Sequence, residues 1–274
     1  MRFAREECLQ RLNKVISRGQ PIVGAGAGAG ISAKSEEIGG ADLIIIYNSG
    51  YFRMAGRPSL YGILPVGDAN GLILEMAGEV LPVVKNTPVL AGVFAHDNFR
   101  VMDLFLKQLV DLGFSGIQNI PSYGQWDGGF KWDMYQAGFT YEAEAALIAK
   151  AHDMGLLTTP YAWTEDQAKM MARAKADLIV AHMGVTGGGT VGYETISLEQ
   201  AAQKIQRIHD AIKSVNPETL VLCHGGPVSE PDDFDYILRH TEGVAGFYGA
   251  SSMERLPVER AISQQVRRFK DLKI

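Results

Sequence analysis

Cysteine is almost missing from this chain: two of its 274 residues, Cys8 and Cys223, lie far apart and show no C-x-x-C spacing. That excludes a disulfide framework and suits a reducing, cytoplasmic setting. Cys223 stands inside an apolar run and reads as buried filler, not as a nucleophile. No apolar stretch has the roughly 18 residues of a membrane span. The opening MRFAREECLQRLNK lacks the apolar segment of a signal peptide and reads as an amphipathic helix. A basic surplus is missing too. Lys and Arg number 26 against 31 Asp and Glu, a net charge of −5, so no broad basic face is advertised for a nucleic-acid backbone. A small anion needs only a local positive site. No lysine falls within the apolar runs described next, which disfavours Schiff-base chemistry on a strand. The G-x-S-x-G elbow of serine hydrolases and the ligand spacing of a dedicated zinc site are also absent.

What is present is periodic. Eight short runs rich in Val, Ile and Leu recur: Pro21 to Gly28, Leu43 to Asn48, Pro88 to Asp97, Gly116 to Pro121, Leu156 to Ala162, Leu178 to Gly184, Leu220 to Gly226 and Gly243 to Ala250. Near-continuous hydrophobicity marks parallel strands buried on both faces. Helical spacing separates them, as in Asn98 to Leu112 and Leu198 to Val215. Eight strand–helix units predict an α/β protein, a (β/α)8 TIM barrel with an extra N-terminal helix. It forms one domain over residues 1–274, with the helix in 1–19 and the barrel in 20–271. Three connections are long, Ser49 to Ala69, Ser122 to Gly138 and Val185 to Ser197, and serve as lids or as subunit contacts in an expected homo-oligomer.

In a barrel the C-terminal ends of the strands share one face, so polar residues scattered along the sequence become neighbours there. These are Asn48 and Ser49, His96 and Asp97, Asn119, His182 and His224. Asp97 is the one carboxylate at a proposed strand end, a candidate metal ligand or general base, and equally a helix N-cap. His182 and His224 are candidate proton carriers, and Asn48 and Asn119 candidates for positioning substrate oxygens. Two glycine-rich segments, LCHGGP (Leu222 to Pro227) and GFYGASS (Gly246 to Ser252), end the last two strands. Their spacing predicts an anion cradle from Gly225, Gly226, Gly249, Ser251 and Ser252, with Ser49 nearby. The run GAGAGAG (Gly24 to Gly30) fits a dinucleotide pattern at Gly24, Gly26 and Ala29, yet the second strand ends in Asn48 and not in an acid. Close packing at the mouth of the first strand explains the glycines as well. No nicotinamide, flavin or pyridoxal phosphate is expected.

The segments GAGAG (Gly24 to Gly28), YNSG (Tyr47 to Gly50), NIPS (Asn119 to Ser122), AHMG (Ala181 to Gly184), LCHGGP and GFYGASS give the chain its resemblance to the phosphoenolpyruvate hydrolase-like family of barrels, which are similar in turn to indole-glycerol-phosphate-synthase-like barrels. The resemblance covers nearly the whole chain. It implies a hydrolase or lyase acting on a small phosphorylated or phosphonylated 2-oxo acid, with magnesium as the implied cofactor. The mutase and lyase branch carries an acidic D-x-D-T-G-x-G segment where this chain has AHDNFR (Ala95 to Arg100), so Asp97 is the one matching acid. The rival expectation is a barrel that senses a metabolite or nucleotide and acts through protein contacts.

Overall fold

The computed structural model describes residues 3–64, 66–190 and 193–273; of the long connections, Ser49 to Ala69 and Val185 to Ser197 each include residues outside that set. Among the described residues the strands are β1 (Ile22–Ala27), β2 (Leu43–Ile46), β3 (Val89–Gly92), β4 (Gly116–Gln118), β5 (Leu157–Thr158), β6 (Tyr161–Ala162), β7 (Leu178–His182), β8 (Leu220–His224) and β9 (Gly246–Gly249). All pair in parallel, in the order β5-β4-β3-β2-β1-β9-β8-β7-β6. β5 and β6 are two halves of one strand interrupted at Thr159 and Pro160. The first half pairs with β4 and the second with β7, so the chain itself closes the ring. Proline has no N–H to give a ladder, which explains the break; its carbonyl still accepts from the Val180 N–H. The expected eight-stranded barrel is thus formed.

Among the described residues eleven α-helices accompany the strands: α1 (Arg5–Ser17), α2 (Gly30–Ile38), α3 (Asn48–Met54), α4 (Ala69–Val80), α5 (Met102–Leu112), α6 (Gly128–Gln136), α7 (Tyr141–Asp153), α8 (Glu165–Arg173), α9 (Leu198–Lys213), α10 (Pro231–Arg239) and α11 (Arg255–Lys270). α1 is the extra helix. Its Arg5 pairs at 2.6 Å with Asp177, the residue before β7, and the Phe3 N–H donates to Ser115, just before β4. The helix therefore covers the N-terminal ends of the strands and leaves the opposite end open. No helix among the described residues is long and apolar enough to cross a membrane.

The first strand explains its own glycines. A Cβ on Gly24 would lie 2.3 Å from the Tyr248 ring, one on Gly26 2.7 Å from the Tyr47 hydroxyl, and one on Gly28 2.1 Å from the Gly50 carbonyl. Large phenols from β9 and from the end of β2 fill the barrel interior, and glycine on β1 makes the room. Close packing accounts for this run. Both cysteines are free and fully buried, and burial pushes the Cys223 thiol up to about 12.

Some boundaries differ from the sequence reading. β2 ends at Ile46, and Asn48 already opens α3. β3 ends at Gly92, which leaves His96 and Asp97 in the following loop. The long connections also hold structure of their own: α3 and a 3-10 turn (Ser59–Ile63) in the first, a 3-10 turn (Tyr123–Gln125) and α6 in the second. A continuous apolar run says that a strand is buried, and it does not say where pairing stops.

Candidate functional site

His182 and His224 are the last residues of β7 and β8 and stand opposite one another in the parallel register. Their ring centroids are 4.6 Å apart. Each ring has one nitrogen fixed by backbone. The Gly184 N–H donates to His182 Nδ1 at 3.0 Å, so a neutral His182 carries its proton on Nε2. His224 does the reverse: Nδ1 donates to the Tyr248 carbonyl, and Nε2 keeps a free lone pair. Burial pushes the His224 imidazole down to about 4, with Arg53 adding to the effect against the Tyr248 carbonyl. Burial and the neighbouring His224 hold His182 well below the ordinary range as well. The pair is neutral at physiological pH, one ring offering a donor and the other an acceptor.

Both rings line a pocket of about 50 Å³ at the C-terminal end of the barrel, room for one phosphate- or carboxylate-sized group. Its wall carries six hydroxyls (Tyr47, Ser49, Ser59, Tyr161, Thr186 and Ser251), the Arg53 guanidinium and the amide of Gln125. Among the described residues no carboxylate lines it. Arg53 comes from α3, four residues after Ser49, which puts both on one face of that helix. Its Nη2 lies 2.6 Å from Glu254 and donates to the Gly26 carbonyl at 3.0 Å. Glu254 also accepts from the Gly28 N–H at 2.7 Å, so the buried cation is held in a fixed place. The 3-10 turn brings Ser59 to within 3.4 Å of the Ser251 hydroxyl, and Gly62 in that turn lets it lie directly on Ser49.

The structure therefore gathers four of the residues singled out from sequence: His182, His224, Ser49 and Ser251. The others stand elsewhere, each for a visible reason. Asn119 is fully buried and committed at both ends, donating to Glu144 at 2.7 Å and accepting from the Tyr161 N–H at 2.7 Å. Asp97 lines a separate depression with His96, and its carboxylate takes Arg100 at 2.7 Å and Asn70 at 2.9 Å. Its N-cap alternative does not hold either, because α5 starts at Met102. The Gly226 N–H is spent on the Gly184 carbonyl, and with Gly225, whose φ is also positive, it forms the tight turn that leaves β8. Gly249 pairs with β1 and packs under Ser252, whose hydroxyl is buried without a partner among the described residues. Asn48 is fully buried with both amide atoms unpartnered in the same sense. β8 and β9 do lie side by side, as the anion cradle requires.

Sequence reasoning missed six polar pocket residues: Tyr47, Arg53, Ser59, Gln125, Tyr161 and Thr186. Arg53 had a readable signal, its i,i+4 spacing from Ser49, hidden by taking the segment as loop. Tyr47 and Tyr161 had none, since an interior phenol looks like core until the barrel is closed. Also missed was Glu144 on α7, a fully buried carboxyl that accepts from Asn119, Ser122 and the Tyr123 N–H; burial pushes it up to about 8. It ties down the NIPS segment, which makes that motif a structural pin.

Magnesium needs a set of oxygen ligands with carboxylates among them. Among the described residues no group of three or more His, Cys, Asp or Glu gathers in a way that could hold a metal, and Asp97 is tied to Arg100. Among the described residues the histidine pocket offers magnesium no carboxylate, so a metal there would rest on substrate oxygens and water.

A parallel eight-stranded barrel with its pocket at the strand C-termini places the chain among the TIM-barrel proteins. Solved structures share the fold: phosphonopyruvate hydrolase in complex with oxalate and Mg2+ (TM-score 0.61, 15% identity, 96% of this chain and 88% of that one) and phosphoenolpyruvate phosphomutase from Streptomyces platensis subsp. rosaceus (0.61, 15%, 96% and 87%). The chain belongs to the phosphoenolpyruvate hydrolase-like family, whose model matches residues 7–272. It is 58% identical over 265 residues to the tomato (Solanum lycopersicum) ToMV susceptible protein tm-1(GCR26) and, to the same extent, to the ToMV resistance protein Tm-1(GCR237). The match covers 96% of this chain and 35% of each tomato protein, so the chain spans about a third of their length.

Proposed function

We propose that the barrel cleaves a small phosphorylated or phosphonylated 2-oxo acid by hydrolysis or lysis, with the anionic head held between Arg53 and the hydroxyls of Ser49, Ser59 and Ser251. The observation that carries this reading is the make-up of the pocket: donors on nearly every side, no carboxylate, and one histidine nitrogen with a free lone pair. Donors fixed before the substrate arrives stabilise negative charge without reorganising. For a phosphonate, His224 Nε2 takes a proton from water as the water oxygen bonds to phosphorus. The carbon–phosphorus bond breaks, its electron pair passes into the pyruvate enolate, and the imidazolium returns the proton to carbon. His182 Nε2–H donates a hydrogen bond to the enolate oxygen. No step is routed through a metal.

A second reading has its own support. The tomato relatives at 58% identity are named for susceptibility or resistance to a virus, which fits a barrel that binds a metabolite and acts through protein contacts. Turnover separates the two. Phosphonopyruvate and phosphoenolpyruvate incubated with the protein, with and without Mg2+, should release pyruvate and inorganic phosphate. Binding of either acid without any product would favour the sensor and end the hydrolytic reading.

A further inference from the structure

The Arg53–Glu254 ion pair is a partition between two cavities. Arg53 lines the pocket described above. Glu254 lines a second cavity of about 350 Å³, outside the barrel between β1, α2 and the start of α11. Met54 and Met253, the chain neighbours of the pair, turn into this second space together with Val23, Ala25 and Val258. Thioethers adapt to varied apolar shapes. Among the described residues two carboxylates and no Lys, Arg or His line the cavity. Glu254 is satisfied by Arg53 and by the Gly28 N–H, but Glu36 is not: both its oxygens are buried with no hydrogen-bond partner among the described residues. The nearby Ser35 hydroxyl is spent on the Ile31 carbonyl. A buried carboxyl without a donor is costly, and such groups call for an explanation.

We propose that this cavity is a binding site for a small organic amine, its ammonium group donating to Glu36 beside Glu254 and its apolar body lying among the two methionines and Val258. A hydrated inorganic cation would gain nothing from the apolar walls, and an anion would meet two carboxylates. An amine carries both halves of the complement. Burial, then the proximity of Glu254, pushes Glu36 up to about 8, and an ammonium partner would draw it down again. Because the ammonium would share Glu254 with Arg53, amine in this cavity and anion in the first are linked reciprocally. That linkage rests on the anion reading above; the amine site does not.

Calorimetry with benzylamine and with benzyl alcohol, its neutral counterpart of nearly equal shape, tests the site on the whole chain with no anion present, so the outcome is independent of the anion reading. Benzylamine should bind saturably. Benzyl alcohol should bind about tenfold or more weaker, and Glu36→Gln should weaken benzylamine by a similar factor, as the loss of a charge-assisted hydrogen bond implies. Equal affinity for the two compounds, absence of benzylamine binding, or affinity unchanged in a folded Glu36→Gln protein would each overturn the proposal. Should that variant not fold, the comparison of the two compounds on the native chain still decides.

Discussion

His182 and His224, 4.6 Å apart at the ends of neighbouring strands, carry their protons on opposite nitrogens because one ring accepts from a backbone N–H and the other donates to a carbonyl. The arrangement predicts a nitrogen-15 NMR signature: Nε2–H for His182 and Nδ1–H for His224 at neutral pH. Two rings with the same tautomer would remove the asymmetry on which the proposed proton transfer depends.

That asymmetry sets a pH dependence. With its imidazole pushed down to about 4, His224 is a free base through the whole range above that value, so the acidic limb of kcat/KM should fall near 4 and not near the ordinary 6.5. His224→Gln should abolish the limb together with the activity. The same shift affects stability. The unfolded chain binds the proton more readily, so the contribution present above about 6.5 is lost as pH falls through about 4.

Arg53 and Glu254 are both almost wholly buried. Arg53→Met or Glu254→Gln alone strands one partner and should cost about 3–5 kcal/mol, while the double change to Met at both positions should cost clearly less. Urea unfolding of the three variants checks this. Equal losses in the single and double variants would mean that the pair contributes packing and not compensated charge.

Glu144 offers a third test. The fold prefers its protonated form, so its contribution is full below about 4.5 and declines as pH rises through about 8. Glu144→Gln is neutral at every pH and should flatten the melting temperature against pH over that window. It should also lower stability by about 1–3 kcal/mol, since the amide nitrogen cannot accept where the carboxylate does. A slope unchanged by the substitution would show that other groups set it.

Glycines of similar appearance should respond oppositely to alanine. A Cβ on Gly28 would press on the Gly50 backbone carbonyl at 2.1 Å, and Gly28→Ala should unfold or severely destabilise the barrel mouth. Gly78, inside α4, has nothing within 4 Å of a built Cβ, so Gly78→Ala should stabilise by roughly 0.5–1 kcal/mol. Thermal melts of the two proteins are sufficient to tell.

Barrel topology was legible because eight buried strands each left an apolar run, and the runs survive small errors at their ends. His182 and His224 were legible for the same reason: each stands near the end of a run at a residue that does end a strand, and so lies on the shared face, whereas His96 does not. Asp97 illustrates the failure. Its run continues past the last paired residue, Gly92, into a loop where the carboxylate meets Arg100, and nothing in local hydrophobicity marks that change. Asn119 fails differently. It directly follows β4, but its partner Glu144 comes from a helix 25 residues on, and such pairings are decided by tertiary packing.

The central claim is that one negatively charged group sits between Arg53, Ser49 and Ser251 with the two histidines beside it. A crystal structure with phosphonopyruvate bound tests this most directly. The account predicts the phosphonate within hydrogen-bonding distance of Ser251 and the Arg53 guanidinium, with His224 Nε2 facing the phosphorus. Density for the ligand at Asp97 and Arg100 instead, with the histidine pocket empty, would contradict it.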